Sequence, residues 1–425
     1  MSDGRMRVAV VGSGIAGLGA AWRLSSRHDV VLYESDTRIG GHVHTHNVDI
    51  AGKHYAVDTG FIVFNRSHYP LLTGLFEQLS VATQPTTMGF SVQDARNGLE
   101  YNATNLGGLF AQPSNLASPR FWGMLRDLRR FYRDAPALLA QAWDGPSLGD
   151  YVAQRGYGAM FVDDHLVPMA SALWSSPARR ILDFPAKYLL SFMQQHQMLQ
   201  IEGRPEWRVV RGGSYRYVEA LQARWRAEVR LATPVLRVTR RNDAGVDVIT
   251  AHGAETYDHV VLACHADDSL ALIEQPTGDE RAVLGAIEYQ DNDVVLHTDP
   301  ALLPRRKKAW AAWNAYIPAE QTAACTVSYC MNLLQSLDAP KPLVVTLNRS
   351  ADIAQQHVLA TMRYRHPLYT HASVAAQARV GAISGHDRLW FAGAWRGFGF
   401  HEDGLRSGYA AADALLAAGQ QRQAA

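Results

Sequence analysis

The first forty residues set the tightest limit on what this chain can fold into. Arg7-Val-Ala-Val-Val-Gly12 is a short apolar, β-branched run, the pattern of a strand buried on both faces. It passes straight into Gly12-Ser13-Gly14-Ile15-Ala16-Gly17 and then into an alanine-rich helical stretch, Leu18 to Leu24. A second strand-like run from Val30 to Tyr33 ends in Glu34. Gly12 permits a tight turn, Gly14 lets main chain approach a pyrophosphate, and Gly17 lets the helix close on the strand. The helix start offers free N–H groups and partial positive charge to phosphates. An acid about 20 residues beyond the first glycine is placed to grip a ribose hydroxyl. A glycine triplet alone says little, but strand, glycines, helix, strand and acid in this order specify a Rossmann-like dinucleotide unit.

The residues beyond Glu34 narrow the nucleotide. After Ser35 comes Arg38-Ile-Gly40-Gly41-His42, and later Asp58-Thr-Gly60-Phe61-Ile62. At the other end, the apolar run Arg388-Leu-Trp-Phe-Ala-Gly393-Ala394-Trp395 leads through Gly397-Phe-Gly399-Phe400 to His401-Glu402-Asp403-Gly404-Leu405 and a final alanine-rich helix. Together these stretches resemble the flavin-containing amine oxidase and phytoene-desaturase superfamily, marked by the acid ending strand two and a following R-x-G-G. The resemblance implies FAD as cofactor and an amine oxidase-like architecture of two domains. A discontinuous, Rossmann-like FAD-binding domain is expected over 1–80, 205–275 and 380–425, with an α+β substrate domain over 81–204 and 276–379. It implies FAD contacts from Gly12 to Gly17, Glu34, Ser35, Arg38, Gly40, Gly41, His42, Gly60 to Ile62, Val235, Gly393, Ala394 and Asp403 to Leu405. The superfamily usually has arginine after the paired glycines; here His42 stands there. Asp403 is expected as N-cap of the last helix.

Composition closes off other classes. The 425 residues exceed one ordinary core, and a net charge of +1 gives no global field for nucleic acid. No apolar run reaches the roughly 20 residues that span a bilayer. The first strand begins at Met6, with no secretory signal before it, and the expected location is cytoplasmic. Cys264, Cys325 and Cys330 have neither metal-ligand spacing nor a disulfide framework, so no metal is expected. They also lie far from the C-terminal region where covalent attachment occurs in the superfamily, so the FAD is expected to be non-covalent.

Between the termini, Val235 to Thr250, with a turn at 242–245, reads as a hairpin leading to a buried strand over Tyr257 to Cys264. Residues about 80 to 200 are rich in helical patterns and aromatic side chains, and residues about 280 to 380 mix strand-like runs, such as Asp293 to His297 and Leu343 to Leu347, with helix. In Arg120 to Arg133, Phe121, Leu125, Leu128 and Tyr132 share one helical face opposite Arg126, Arg129, Arg130 and Arg133. Such a helix either packs on its own core or rests on an anionic membrane. Arg305-Arg-Lys-Lys308 is a second basic run.

The stretches Gly40 to Thr45, Asp58 to Asn65, Arg211-Gly-Gly-Ser214, Asn332-Leu-Leu-Gln335 and Gly399 to Gly404 are similar to a bacterial group of FAD-dependent proteins associated with cyclopropane and furan fatty-acid modification. That resemblance implies desaturation of a fatty-acyl chain by hydride transfer to the flavin, with His401 and Glu402 as candidate bases and Asn65, Trp395 and Phe400 lining the substrate pocket. Two alternatives remain: oxidation of an amine or amino acid, and a redox-neutral double-bond isomerase or accessory role.

Overall fold

The computed structural model describes residues 5–141, 145–242, 245–320 and 324–424. Its N-terminal unit is built on a parallel sheet in the order β10 (Glu228–Arg230), β2 (Asp29–Tyr33), β1 (Arg7–Val11), β14 (His259–Leu262) and β20 (Leu389–Phe391). The alternation of β1 explains its burial on both faces. Val8 and Val10 face a core shared with α1 (Ile15–Leu24), α2 (Pro70–Leu79) and the C-terminal helix α5 (His401–Ala424). Ala9 and Val11 face the antiparallel layer of β11 (Val235–Arg240), β12 (Val246–Thr250) and β13 (Gly253–Tyr257). Helix-covered and sheet-covered faces are what force a near-continuous apolar strand. The sheet draws on segments around residues 7–33, 228–262 and 389–391, so this unit is discontinuous in sequence.

The second unit is a seven-stranded sheet ordered β19 (Val358–Pro367), β15 (Tyr289–His297), β18 (Val344–Leu347), β17 (Val327–Cys330), β16 (Trp313–Ile317), β7 (Phe90–Asp94) and β8 (Leu99–Asn102). It mixes parallel and antiparallel pairings. Smaller elements join the units: the hairpin of β3 (Thr45–Ile50) and β4 (Lys53–Asp58), and a sheet of β5 (Val63–Asn65), β9 (Trp207–Val210) and β6 (Thr83–Thr86). Both the fold class and the amine oxidase-like pairing of two units agree with the sequence reading.

The structure refines three expectations. Residues 80–200 are rich in helix, and β6, β7 and β8 also lie within them. Those runs of four or five residues carry too little periodicity to be read locally, and they become strands by pairing with distant ones, such as β7 with β16. The hairpin after Val235 has a third strand, β13, before the buried β14. Of its turn at 242–245, residues 243 and 244 lie outside the described residues. Finally, the apolar face of α4 (Pro119–Leu139) is spent on the protein's own core, with Phe121, Met124, Phe131 and Ala135 buried and Leu125, Leu128 and Tyr132 packed against them. That face is not available to a membrane. Ser118 caps this helix, its hydroxyl accepting from Phe121 N–H at 3.3 Å.

Candidate flavin site

The two glycine-bearing junctions meet. Gly12 leaves β1 with φ +98°, and its N–H donates to Tyr33 O at 2.8 Å, tying the turn to β2. A Cβ on Gly17 would lie 1.9 Å from Gly12 O, so only glycine lets α1 close on the turn. At the far terminus, a Cβ on Gly408 would stand 2.1 Å from Ala16 O, and one on Gly404 would stand 2.6 Å from the Ile15 side chain. The starts of α1 and α5 therefore cross at backbone contact. Gly393 N–H donates to Ser407 Oγ at 2.9 Å, fixing the end of β20 to α5.

The paired-glycine loop is stitched to the same place. Ser13 N–H donates to Glu34 Oε2 at 2.9 Å, and Gly40 N–H donates to Ser13 Oγ at 3.0 Å. Gly41, with φ +57°, rests so near Gly14 that a Cβ would stand 3.0 Å from Gly14 Cα. Thr233 N–H donates to Glu34 O at 2.9 Å, bringing the approach to Val235 beside the acid. Arg38 is turned to Val43 O at 3.1 Å and Asp36 at 3.3 Å.

Do these residues fit a flavin dinucleotide? Nothing stands within 4 Å of the place a Cβ on Gly14 would occupy, and no side chain caps α1. The helix start thus keeps open space and unspent N–H groups, as a pyrophosphate requires. Beyond the glycines, His42 Nε2 and Asn65 Nδ2 are buried with no hydrogen-bond partner among the described residues. Leaving such atoms unpaired costs about 1–3 kcal/mol each, and a bound polar group relieves it. The residues fit.

The catalytic expectations fare differently. His401 is buried, stacked on Phe61 with ring centroids 3.7 Å apart, and its Nε2 shares a 2.9 Å hydrogen bond with Tyr217 Oη. Burial pushes its pKa down to about 3. Both Glu402 oxygens accept main-chain N–H groups at the start of α2, from Leu71 at 2.9 Å and Leu72 at 3.0 Å. In this geometry His401 packs against Phe61 and Tyr217, and Glu402 caps α2 while also lining the cavity that Phe400 borders. Asp403 is not the N-cap of α5, which already begins at His401; it reaches back from the first turn to Phe400 N–H at 3.1 Å and pairs with Arg406 at 2.9 Å. Trp395 is no pocket wall. It is buried in the core with β1 and β14, and its Nε1–H donates to Cys264 O at 3.2 Å.

Phe400 does line a cavity, of about 360 Å³, with Phe398, Tyr69, His68, His196 and Arg406. Asn65 Oδ1 accepts from His68 N–H at 2.9 Å and is 2.8 Å from His68 Nδ1, so Asn65 positions one wall of that cavity. Phe400 stacks on Phe192 at 4.7 Å and lies 6.3 Å from Trp174. This side of the site is aromatic.

A group of residues that the sequence reading missed faces His42. Its ring lies 5.0 Å from Tyr364, 5.3 Å from His366 and 6.3 Å from His265. Tyr364 and His366 alternate on β19 and so share a face. The state of His366 is set by an amide chain. Asn348 Nδ2 donates to Cys325 O at 2.8 Å and to Asn292 Oδ1 at 2.7 Å, so Asn292 Nδ2 is the donor toward His366 Nδ1 at 3.0 Å. His366 Nδ1 accepts, leaving the ring proton on Nε2. Burial holds His366 down at about 4, and it pushes His42 well below the ordinary histidine value, with His366, His265 and His401 adding to the shift. Both rings are neutral at pH 7. His265, Asp267 and Asp268 also cluster, but Arg365 pairs with both carboxylates.

Three motifs quoted separately in the sequence converge on Asp58. The carboxylate accepts from Ser214 N–H at 2.8 Å, Ser214 Oγ at 2.8 Å, Thr45 Oγ1 at 2.5 Å and Gln335 Nε2 at 2.9 Å. It is fully buried, and desolvation raises its pKa to about 6 against those bonds. Asp58 thus holds the loop carrying Gly60 and Phe61 to both units.

This geometry defines a class: a two-unit enzyme that clasps a dinucleotide between glycine junctions at opposite ends of its chain. The chain belongs to the flavin-containing amine oxidoreductase family, whose model matches residues 15–295. Its site residues fit FAD as the cofactor. A flavin-dependent L-tryptophan oxidase of Lentzea aerocolonigenes is 25% identical over 286 residues, covering 61% of this chain and 58% of that protein. A tryptophan 2-monooxygenase of Pseudomonas savastanoi is 34% identical over 149 residues, 33% of this chain and 24% of the other. The matches thus span less than two thirds of these relatives. Among solved structures, cyclohexylamine oxidase from Brevibacterium oxydans superposes with a TM-score of 0.69 at 15% identity, covering 99% of this chain and 100% of that one. A CLA-producing fatty acid isomerase from P. acnes does so with 0.65 at 17% identity, covering 98% and 99%. At these identities the likeness shows the fold. Among the described residues, no helix is long and apolar enough to cross a membrane.

Proposed function

We propose that the protein is an FAD-dependent dehydrogenase acting on a fatty-acyl chain, removing two hydrogens to leave a carbon–carbon double bond. FAD, held non-covalently, supplies the hydride acceptor. The observation that carries the reading is His42, an imidazole with a buried, unspent Nε2 at the paired-glycine loop, facing the donor-locked His366. Desaturation needs one hydrogen to leave as a proton. A neutral His42 keeps a lone pair that would take this proton, and a bound flavin would supply the acceptor for the hydride. The aromatic wall of Phe398, Phe400 and Phe192 supports an apolar substrate, whose positioning requires shape more than charge. Anaerobic mixing of holo-protein with acyl-CoA or phospholipid acyl substrates tests this. Bleaching of the visible flavin absorbance is expected, slowed about 10²–10⁴-fold per bound FAD in His42→Gln. No bleaching by any acyl substrate would overturn it.

The tryptophan-oxidising relatives favour a second reading, oxidation of an amine or amino acid. Hydrogen peroxide released with an amine but not with an acyl substrate selects it. Turnover that moves a double bond without net flavin reduction selects a redox-neutral isomerase, the activity named for one fold neighbour.

A further inference from the structure

The exposed apolar side chains of this molecule are not scattered evenly. Leu106, Leu116 and Trp122 are 75%, 56% and 50% exposed, and contacts between their segments make them neighbours. Leu106 lies at the start of α3 (Leu106–Leu109), which ends against Phe110, whose N–H reaches back to Leu106 O at 3.2 Å. The Phe110 and Trp122 rings are 5.6 Å apart. Trp122 Nε1–H donates to Leu116 O at 2.9 Å. Its one polar atom is therefore satisfied by main chain, and half of its surface still faces out.

Basic charge predominates around this patch. Arg126 and Arg129 lie four and seven residues beyond Trp122, so they share its face of α4, and both are exposed; Arg133, eleven residues beyond, pairs with Asp134 at 3.1 Å. On the other side, the turn Lys307–Ala309 packs against α3, and Arg305, Arg306, Lys307 and Lys308 are exposed. From residue 95 to 133 the acids are Glu100 and Asp127. Both are buried and committed. Glu100 accepts from Arg305 N–H at 2.9 Å and pairs with the Arg306 guanidinium at 2.9 Å. Asp127 accepts from Gly158 N–H at 2.9 Å and pairs with Arg130 at 3.5 Å. The net charge of +1 for the chain hides this local excess.

We propose that this face, formed by residues 104–133 and the turn 305–308, seats the protein on an anionic lipid bilayer. Trp122, Leu116 and Leu106 enter the headgroup boundary, where an aromatic ring and aliphatic chains are favoured. The arginines and lysines lie against lipid phosphates. This is not the apolar stripe of α4, which is buried inside; the helix contributes its outer edge. A second copy of the chain is a poor occupant, since two such faces carry like charge. The surface stands apart from the acyl-chain reading, because it would seat the protein on a bilayer whatever bond the flavin oxidises.

Sedimentation of the FAD-loaded protein with vesicles tests it. Vesicles of phosphatidylcholine mixed with phosphatidylglycerol should carry the protein down at low salt, those of phosphatidylcholine alone far less, and high salt should release it. Lys307→Ala with Lys308→Ala should weaken binding about 25-fold, about fivefold per charge. Trp122→Ser should weaken it further with FAD content retained, and Trp122→Phe, which keeps the ring contact with Phe110, should weaken it less. Failure to bind anionic vesicles at low salt overturns the proposal. So does binding that no variant alters, or loss in these variants of self-association or of capture by an acidic protein in place of vesicle binding. If vesicles bind as expected but no acyl substrate bleaches the flavin, the acyl-chain reading fails and this surface remains.

Discussion

The cofactor junctions and the seam between the two units are built in different ways. At the junctions the contacts are backbone against backbone: Gly17 on Gly12, Gly41 on Gly14, Gly408 on Ala16. At the seam they are side-chain hydrogen bonds among residues far apart in sequence, such as Asp58 with Ser214 and Gln335. The first kind tolerates almost no added atom but contains few titratable groups. The second is held by polar bonds inside low dielectric, where each unpaired partner is costly. The cofactor is thus held by shape, while the reacting side of the site is held by a network that proton concentration and single substitutions can undo.

Acidification should separate the two regions most. His366, His196 and His401 have folded-state pKa values held down at about 4, 4 and 3, and His42 is lowered well below its ordinary value. The unfolded chain takes up these protons near pH 6.5, so stability present above that value is lost as pH falls toward the folded values. The loss is about 1.4 kcal/mol per pH unit for each such histidine. Asp58 and Asp164, both raised to about 6, act with opposite sign: between about pH 6 and 4 their protonation favours the folded state and offsets part of the loss. Near-ultraviolet circular dichroism against pH should therefore show the seam loosening below pH 6.5. A flat profile down to pH 4 would break the distinction.

Asp58→Ala comes next in size. It strands Ser214 N–H, the Thr45 hydroxyl and the Gln335 amide in a buried site. A loss of about 3–5 kcal/mol is expected in urea unfolding, together with weaker FAD retention. Gly408→Ala probes the other region. The added methyl meets Ala16 O and forces α5 off α1, costing about 1–3 kcal/mol. It should lower FAD affinity while leaving the acid profile unchanged. The smallest effect belongs to Glu402→Gln. Its carboxamide oxygen still accepts one N–H of α2, so a loss of about 0.5–2 kcal/mol is expected, with the rate of flavin bleaching kept within a few-fold. A large rate loss there would return Glu402 to the chemistry.

Much of the cofactor site was legible because its signals are local. Gly12, Gly14 and Gly17 succeed a strand and open a helix within a dozen residues; Gly12 and Gly17 answer backbone requirements that no other residue meets, and Gly14 keeps the helix start open. The surroundings of His401 and Glu402 were not legible, for the opposite reason. An acid and an imidazole at a helix start have the composition of a catalytic pair, and only the neighbours, Tyr217 and the start of α2, reveal packing and capping. Tyr364, His366 and Asn292 carried no motif, since β19 and β15 acquire meaning by pairing across more than seventy residues of chain, Asn292 opposite Tyr364.

Steric limits on the backbone are written one residue at a time. The order of residues was therefore enough to specify the nucleotide fold, the flavin class and the need for two glycine junctions to converge. Folding in three dimensions settled the rest: which polar groups face His42, that Asp58 binds three separate motifs, and that the outer rather than the inner face of α4 is left to solvent. Burial and hydrogen-bond partnership are properties of neighbours, and neighbours are set by the fold.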